Sequence, residues 1–441
     1  MKNVLLPALL ILTGFSARAE NWAHWRGPLF NGATTETTAP GDFSKTVNVK
    51  WTALLPGTSA ATPVVWENCV FVSSGEDQQK SLCALCLDRK NGKVLWNREI
   101  GSGYNQDDKS NFASPSPVTD GKVAVFLYGN GELAAFDLEG KKLWNRNLQK
   151  DYGEFAYQWT YGASPTIFDG KLIIQVLQRD ESVQRRSRTD GPIDSYLLAL
   201  DPSNGKQIWK HARPSEAHGE SHEAYSTPIP FGDQGRTELL IIGGDCLSGH
   251  SLKDGAEFWR WGSWNPARIS HWRLVPSPVT GGGVLLACAP KNGAVYACKA
   301  GAKGNQDDTV LAWKSTDKAI SSDVATPLFY KGRFYVLNGE HHSISRIEPA
   351  SGKVEWTGEL EIRAKIEASP TAAADKIYFQ NFHGDVFIVA ASDSFKVLKT
   401  IPMGDEGDDQ IRSSIPISNG ELFIRTGQKL YCIGEAKPPA K

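Results

Sequence analysis

Seven short segments of the chain concentrate the side chains that could bind a ligand or carry out chemistry. They are richer in His, Trp, Tyr, Arg and carboxylates than the rest of the sequence, and they span residues 106–112, 155–161, 218–225, 268–273, 321–323, 363–367 and 408–412. Polar and aromatic side chains that converge on a pocket are what a ligand site requires. The candidate ligand-site residues are Asn111, Trp159, Tyr161, His222, Glu223, His271, Trp272, Arg273, Asp323, Glu367 and Arg412.

Three kinds of chemistry are open to these candidates. His218, His222 and Glu223 offer two nitrogen ligands and a carboxylate for a metal, but a His-x-x-x-His spacing in a loop fixes no geometry, so no metal site is predicted. The three aromatic candidates either stack on a planar ligand or simply fill the centre of the fold. Arg273 and Arg412 either hold an anion or form ordinary ion pairs with Asp323 or Glu367.

A strand–turn–strand unit recurs along the chain and must position these segments. Its signature is a Gly followed four residues later by Trp, which occurs five times. The turn uses Asp and Gly, the residue types that favour tight turns. The predicted docking residues are Trp51, Trp96, Trp144, Trp209, Trp259, Trp313 and Trp356, with Asp88, Asp137 and Asp201 as caps of the turns.

A second element, Ser or Thr followed by Pro, lies between the tryptophans. It starts a strand at Thr62, Ser116, Ser164, Thr227, Ser277, Thr326 and Ser369, and Ile415-Pro416 is an eighth, variant case. Proline is tolerated at the first position of a strand because it need not donate to the ladder there. Each period therefore contains two hairpins and four strands, which is the size of a propeller blade.

The count predicts an all-β, eight-bladed β-propeller of four-stranded antiparallel blades. The seventh blade lacks its Trp and has Leu398 near that point. The eighth blade stops after three strands, at residues 429–433, and its missing strand is predicted to be residues 49–51. That closure joins the two ends of the chain and leaves no open edge between the first and last blades.

These units closely resemble the repeat of the PQQ-like (pyrroloquinoline-quinone-type) β-propeller family, from Trp51 to Cys432. The same repeat builds the quinoprotein dehydrogenases and the non-catalytic propeller of the outer-membrane β-barrel assembly lipoprotein. The resemblance to the dehydrogenases implies a quinone clamped between a Trp and a ring of two adjacent, disulfide-bonded cysteines, and a Ca²⁺ held by Glu, Asn and Asp. This chain has no Cys-Cys pair, so no catalytic residue is carried over.

The two ends of the chain are predicted to lie outside the propeller. Lys2, the apolar stretch 4–15 and Ala17-Arg18-Ala19 make residues 1–19 a secretory signal peptide, which implies a periplasmic or extracellular protein. Residues 20–48 form an N-terminal extension, residues 49–435 the propeller and residues 436–441 a disordered tail. No later segment has 18 consecutive apolar residues, so no transmembrane segment is predicted. Lys plus Arg number 48 and Asp plus Glu 49, which indicates no nucleic-acid partner.

Export makes disulfide bonds possible for some of the seven cysteines. The pairing cannot be read from the sequence, although Cys288 and Cys298 flank a turn in a way that would allow them to face each other across a hairpin. Cys83-x-x-Cys86 looks like a redox or zinc motif, but it lies in an alternating run, and positions i and i+3 of a strand point to opposite faces. Those two cysteines are therefore interpreted as structural.

The leading functional hypothesis is a monomeric, non-catalytic scaffold that binds a protein or another partner in the cell envelope, with no cofactor assigned. The alternative is an oxidoreductase that holds pyrroloquinoline quinone and Ca²⁺ on the propeller axis. A third hypothesis is a carbohydrate-binding or polymer-degrading propeller. An enzyme of the second kind needs an axial pocket where a carboxylate and an amide converge on one cation, whereas Trp and Tyr fill the axis of a scaffold.

Overall fold

The computed structural model describes residues 20–434, apart from Asp77, Tyr104, residues 184–192, Gln234 and Arg363. Within this range the chain forms eight sheets around one axis, which confirms the predicted eight-bladed propeller. The predicted signal peptide, residues 1–19, and the tail from residue 436 lie outside the described residues. No helix in the described part of the chain is long and apolar enough to cross a membrane.

The strands are numbered in chain order, and each blade takes four consecutive strands unless stated otherwise. Blades 1 to 4 contain β2 (Val64–Trp66), β3 (Cys69–Glu76), β4 (Ser81–Asp88), β5 (Val94–Ser102), β6 (Val118–Thr119), β7 (Ala124–Leu127), β8 (Glu132–Phe136), β9 (Lys142–Asn147), β10 (Thr166–Phe168), β11 (Lys171–Val176), β12 (Tyr196–Leu200), β13 (Gln207–Ala212), β14 (Ile229–Asp233), β15 (Arg236–Gly243), β16 (Cys246–Ser251) and β17 (Glu257–Trp261).

Blades 5 to 8 follow the same plan. They contain β18 (Val279–Gly281), β19 (Val284–Cys288), β20 (Val295–Lys299), β22 (Leu311–Lys314), β23 (Leu328–Tyr330), β24 (Arg333–Asn338), β25 (Ser343–Ile347), β26 (Val354–Glu359), β27 (Thr371–Ala373), β28 (Lys376–Gln380), β29 (Asp385–Ala390), β30 (Val397–Pro402), β31 (Ile417–Ser418), β32 (Glu421–Arg425), β33 (Lys429–Ile433) and β1 (Val49–Leu54). The helices are short: α1 (Leu148–Tyr152) and two 3₁₀ turns, Gly219–His222 and Asp308–Val310.

The first strand of the chain completes the last blade. β1 pairs antiparallel with β33, so that Trp51 lies opposite Cys432 and Leu54 opposite Lys429. This is the closure that the truncated eighth repeat predicted. The second and third strands of each blade are apolar and buried over most of their length because a neighbouring blade covers each face.

Six tryptophans join each outer strand to the next blade. Each indole Nε1–H donates to a carbonyl in the turn between the third and fourth strands of the following blade: Trp51 to Arg89, Trp96 to Leu138, Trp144 to Pro202, Trp209 to Leu252, Trp313 to Pro349 and Trp356 to Ser392, at 2.6–3.1 Å. Five of the rings also pack against the turn glycine, as Trp51 does against Gly92. The predicted cap Asp88 accepts a hydrogen bond from the Lys90 backbone N–H in the same turn, at 2.7 Å.

Blade 4 departs from the four-stranded plan. A fifth strand, β21 (Gly304–Gln306), runs parallel to β17 along its outer edge, and it comes from the long turn between the last two strands of blade 5. Trp259 therefore does not contact a short turn as the other tryptophans do. Its Nε1–H donates instead to the buried carboxylate of Glu238, at 3.0 Å.

Blade 7 lacks a docking tryptophan because the next blade is built from the two ends of the chain. Every outer strand has a bulge just before the docking position, and in blade 7 the bulged residue is Leu398, so the position equivalent to Trp is Lys399. Blade 8 offers no turn for a tryptophan because its last two strands, β33 and β1, come from opposite ends of the chain. Lys399 instead forms an ion pair with Asp42 of the segment that leads into β1.

Residues 20–48 cross the face of the propeller opposite the connector segments. Trp22 is fully buried and pairs with Val65 of blade 1 through two backbone hydrogen bonds of 2.9 Å. Arg26 is also fully buried, and its guanidinium donates to the carbonyls of Pro327 and Pro370, at 2.9 and 3.1 Å. The N-terminal extension therefore ties blade 1 to blades 6 and 7 through the centre of the disc.

Of the two predictions about cysteine pairs, one is confirmed and the other is wrong. Cys83 and Cys86 lie in different apolar clusters on opposite faces of β4, as predicted. The predicted encounter of Cys288 with Cys298 is wrong. Cys288 lies opposite Val295 and Cys298 opposite Leu285, so the two thiols are three positions apart in register and point to opposite sides of blade 5.

Replacing Gly92 with Ala is expected to destabilise the propeller more than the same change at Gly332. Both glycines have left-handed backbones, with φ of +72° and +73°, so each substitution costs about 1–2 kcal/mol in strain. A Cβ at Gly92 would lie 2.5 Å from the Trp51 ring, whereas nothing lies within 4 Å at Gly332. Urea unfolding should show an extra loss of about 1–3 kcal/mol for Gly92→Ala. Equal losses would mean that the tryptophan contact contributes little.

Acid should destabilise the protein through buried histidines such as His250. Burial, with Arg213 nearby, lowers the pKa of His250 from 6.5 to about 3, and its Nδ1–H donates to the Gly255 carbonyl at 2.9 Å. Between these values the unfolded chain binds a proton that the folded chain does not. Stability should therefore fall as the pH drops from about 6.5 towards 3, by up to ~1.4 kcal/mol per pH unit for this group.

The variant His250→Asn isolates that contribution, because Asn keeps a donor for Gly255 but does not titrate. Unfolding free energies measured between pH 7 and pH 5 should fall less steeply for the variant than for the parent protein. Identical slopes would contradict a neutral, buried His250.

Candidate functional site

The residues that open the blades form a hydrogen-bonded ring around the axis. In seven of the eight blades the hydroxyl of this residue accepts the backbone N–H of its counterpart in the preceding blade. The N–H of Ser414 donates to Thr62, Thr62 to Ser116, Ser116 to Ser164, Ser164 to Thr227, Thr227 to Ser277, Ser277 to Thr326 and Thr326 to Ser369, at 2.8–3.3 Å. These eight residues are named the axial ring. Because seven bonds run in one direction around the disc, the ring fixes the diameter of the central opening.

In blade 8 the ring position belongs to Ser414, and not to Ile415 as the Ile415-Pro416 repeat suggested. The Ser414 backbone N–H donates to Thr62 at 3.0 Å. The carbonyl of Ile415 also accepts the hydroxyl of Thr371, as the carbonyl of Pro228 accepts that of Thr166 in blades 3 and 4. The eighth repeat is therefore offset by one residue from the expected alignment.

A pocket of about 160 Å³ lies on the axis, inside the connector segments. Four members of the axial ring line it: Ser116, Ser164, Thr227 and Ser369. Trp25 of the N-terminal extension also lines it, next to Arg26, which is anchored to the ends of blades 6 and 7. The pocket, named here the axial pocket, is therefore closed from the N-terminal face and faces the connectors.

Four of the eleven candidate residues line the axial pocket: Trp159, Arg273, Glu367 and Arg412. Glu367 is buried and accepts from the Arg412 Nε–H at 2.7 Å, which is the ordinary ion pair considered as an alternative. Trp159 donates its Nε1–H to the Glu220 carboxylate at 3.1 Å and has the Lys109 Nζ 5.6 Å from its ring.

Three other candidates belong to the core beside the pocket. Tyr161 is buried among the aromatic residues between blades 2 and 3, and its hydroxyl donates to the Gln175 carbonyl at 2.8 Å. Glu223 is fully buried and accepts from the Arg179 Nε–H at 2.5 Å. Burial raises the pKa of Glu223, while its hydrogen bonds act in the opposite direction. The two ring nitrogens of His222 lie 3.2 Å from the Ser215 hydroxyl and 3.3 Å from the Asp180 carboxylate.

The remaining four candidates face other partners. Asn111 donates its amide to the Thr58 carbonyl at 3.1 Å, and Trp272 is half-buried, with its backbone N–H on the Ser221 hydroxyl. His271 is exposed on the connector face. Asp323 accepts from the Lys291 backbone N–H at 2.6 Å and lies 3.9 Å from the Arg273 guanidinium.

Several pocket residues were not among the candidates. Lys109, Trp25 and the ring hydroxyls line the axial pocket. Lys109 falls in the candidate segment 106–112, and the ring corresponds to the recurring Ser/Thr-Pro. That pattern marks the start of every innermost strand, and the innermost strands of a propeller converge on the axis. The same signal that predicted the strands could therefore have predicted the hydroxyls at the centre.

The quinone and Ca²⁺ implied by the resemblance to dehydrogenases do not fit these residues. The one pocket carboxylate, Glu367, is held between Arg412 and Lys365, and the amide of Asn111 is already bonded to the protein. No group of three His, Cys, Asp or Glu side chains in the described part of the chain is arranged to hold a metal ion. At about 160 Å³ the pocket is also below the roughly 300–1,000 Å³ typical of small-molecule sites.

The sequence and the fold were compared with those of known proteins. The model of the family described as outer membrane protein assembly factor BamB matches residues 44–183 and 243–440. The fold is similar to that of BamB from Moraxella catarrhalis, with a TM-score of 0.55 and 14% identity over 88% of this chain and 98% of that one. No curated protein sequence matches the chain.

Two dehydrogenases share the same architecture. A europium-containing methanol dehydrogenase has a TM-score of 0.64 and 11% identity over 94% of this chain and 98% of its own. The quinohemoprotein alcohol dehydrogenase from Comamonas testosteroni has a TM-score of 0.58 and 13% identity over 96% and 82%. At these identities the likeness establishes the fold alone.

Removing a ring hydroxyl should destabilise the propeller. In Ser277→Ala the Thr227 backbone N–H loses its acceptor at 2.8 Å and stays buried, which costs about 1–3 kcal/mol. Ser343→Ala is the matched control, because that buried hydroxyl has no hydrogen-bond partner among the described residues. Urea unfolding should show a clear loss for Ser277→Ala and little or none for Ser343→Ala. The reverse order would contradict the importance of the axial ring.

Proposed function

This chain belongs to the family of the outer membrane protein assembly factor BamB, and from that premise we propose that it is a non-catalytic scaffold that binds a protein partner in the cell envelope. The proposal places the partner on the connector face, where the loops of all blades are presented together. The disc itself is closed and rigid because β1 pairs with β33.

One observation supports a scaffold above an oxidoreductase. The side chains near the axis that a cation would need are already bonded to the protein, as Glu367 is to Arg412 and as Asn111 is to Thr58. A catalytic Ca²⁺ requires several oxygen ligands that converge on one point. Here Glu367 is bonded to Arg412 and Lys365, and Asn111 to Thr58, so the described residues around the axis offer no set of free oxygen ligands.

The connector face offers exposed side chains for recognition. His271, Arg268 and Gln410 are exposed there, while Trp272 and Ile269 beside them are half-buried. A polar rim around partly buried aromatic and aliphatic residues is the usual composition of a transient protein interface. The opposite face is largely occupied by the protein's own N-terminal extension, which leaves the connector face as the more open of the two.

The proposal includes export and a monomeric state. Residues 1–19 carry the features of a signal peptide, which would deliver the mature protein to the periplasm or the cell exterior. Strand closure satisfies the blade edges within one chain, so folding requires no second copy. The near balance of basic and acidic residues argues against nucleic acid as the partner.

Site-specific photo-crosslinking tests this function directly. A photoreactive phenylalanine analogue at His271 or Gln410, both exposed on the connector face, should give one dominant protein adduct in intact cells. The matched control position is Lys206, which is exposed in a turn on the opposite face and should give none.

Adducts of equal strength at Lys206, or none at any position in protein shown to be folded, would contradict a connector-face scaffold. Mass spectrometry of the adduct identifies the partner, and a partner without envelope localisation would also oppose the proposal.

A further inference from the structure

The lining of the axial pocket contains more cationic side chains than carboxylates. Lys109, Arg273 and Arg412 line it, against Glu367 alone. Glu367 is already shared between Arg412 and Lys365, at 2.7 and 3.1 Å. Of the other two cations of the lining, Lys109 forms no ion pair within the described residues. Arg273 forms only two long ion pairs, of 3.9 Å each, with Glu220 and Asp323, which do not line the pocket.

Arg273 is the strongest indication of a missing ligand. Its side chain is only 9% exposed, yet its guanidinium makes no hydrogen bond within the described part of the chain. Glu220 and Asp323 lie on two sides of it, both at 3.9 Å, which is beyond hydrogen-bond distance. A buried guanidinium with five unbonded N–H groups is costly, and a planar carboxylate is the acceptor that best matches its fork.

The axial ring adds neutral donors to the same pocket. Ser116, Ser164, Thr227 and Ser369 each accept one backbone N–H, and none of their own O–H groups has an acceptor among the described residues. A hydroxyl that already accepts a hydrogen bond is polarised to donate a stronger one. Four such donors, together with the Lys109 ammonium and an Arg273 guanidinium that makes no hydrogen bond within the described residues, favour an oxyanion over a cation or a purely apolar molecule.

The size and walls of the pocket limit the rest of the ligand. Trp25 and Trp159 supply aromatic surface, and Tyr225 lies beside them. A volume of about 160 Å³ is close to that of cavities that accept a single benzene ring. A tricyclic quinone with three carboxylates is larger than this space. This agrees with the finding that the described residues hold no group of three metal-ligating side chains.

We propose that the axial pocket binds a small carboxylate whose body is no larger than one aromatic ring, with Arg273 and Lys109 as its charge partners and the axial ring as its neutral donors. This site goes beyond the scaffold function and does not depend on it. Such an occupant would also bridge blades 2, 3, 4 and 7 through the ring hydroxyls, so binding should raise the thermal stability of the disc.

Calorimetric titration of the mature protein with three probes tests the proposal. Benzoate should bind saturably with one equivalent per chain and raise the melting temperature. Benzamide, which has the same shape without the charge, and acetate, which has the charge without the ring, should each bind at least about tenfold more weakly. Equal binding of benzamide, equal binding of acetate, or no benzoate binding up to millimolar concentrations would overturn it.

Two substitutions locate the site. Arg273→Gln should weaken benzoate at least about tenfold, whereas Arg268→Gln, which removes an exposed arginine paired with Glu216 on the rim of blade 4, should leave the affinity unchanged. If Arg273→Gln fails to fold, Lys109→Gln replaces it, since Lys109 is only half-buried and should still weaken benzoate several-fold. Unchanged affinity in a folded variant at either pocket position would place the carboxylate elsewhere.

Discussion

The pairing of β1 with β33 is the interaction on which the rest of the structure depends. A blade is buried on both faces only if a neighbour lies on each side, so blades 1 and 8 gain their full cores only when the ring is closed. Closure by the N-terminal strand also fixes where the preceding residues must lie. An outer strand begins on the face opposite the connectors, so residues 20–48 have to approach from that face. They bring Arg26 and Trp25 to the axis, and they supply the Asp42 that Lys399 contacts where the other blades have a tryptophan.

The chemistry available at the axis follows from this arrangement. The axial ring sets a narrow opening, Trp25 closes one end of it, and the connector carboxylates are used to hold connector arginines, as in the pair of Glu367 and Arg412. What remains inside is a small pocket lined by three cationic side chains, one carboxylate and the hydroxyl groups of the axial ring. Such a centre is poorly suited to a large redox cofactor with its own cation. The surrounding fold is nevertheless similar to that of the methanol and alcohol dehydrogenases compared above.

Much of the architecture was predictable because it repeats. The spacing of Gly and Trp and the recurring Ser/Thr-Pro gave the number of blades, their four strands and the closing role of Trp51. Features that occur only once could not be predicted from the repeat spacing. They are the fifth strand beside β17, the one-residue offset of Ser414, and Lys399 rather than Leu398 at the docking position, which depends on a bulge.

The residues of the candidate site were more difficult to predict than the blades. Composition selected the right segments, but which residue of a connector faces the axis is set by the path of the loop. Tyr161 therefore lies in the core while Trp159, two positions earlier, lines the pocket.

The central claim is that the described residues around the axis of this propeller offer no site for a quinone and its cation. Equilibrium dialysis of the folded, mature protein against pyrroloquinoline quinone and Ca²⁺, with both quantified in the protein compartment, tests it most directly. The account predicts no stoichiometric retention of either component and no dye-linked alcohol oxidation afterwards. Retention of one quinone and one Ca²⁺ per chain, accompanied by such oxidation, would contradict it and establish an enzyme.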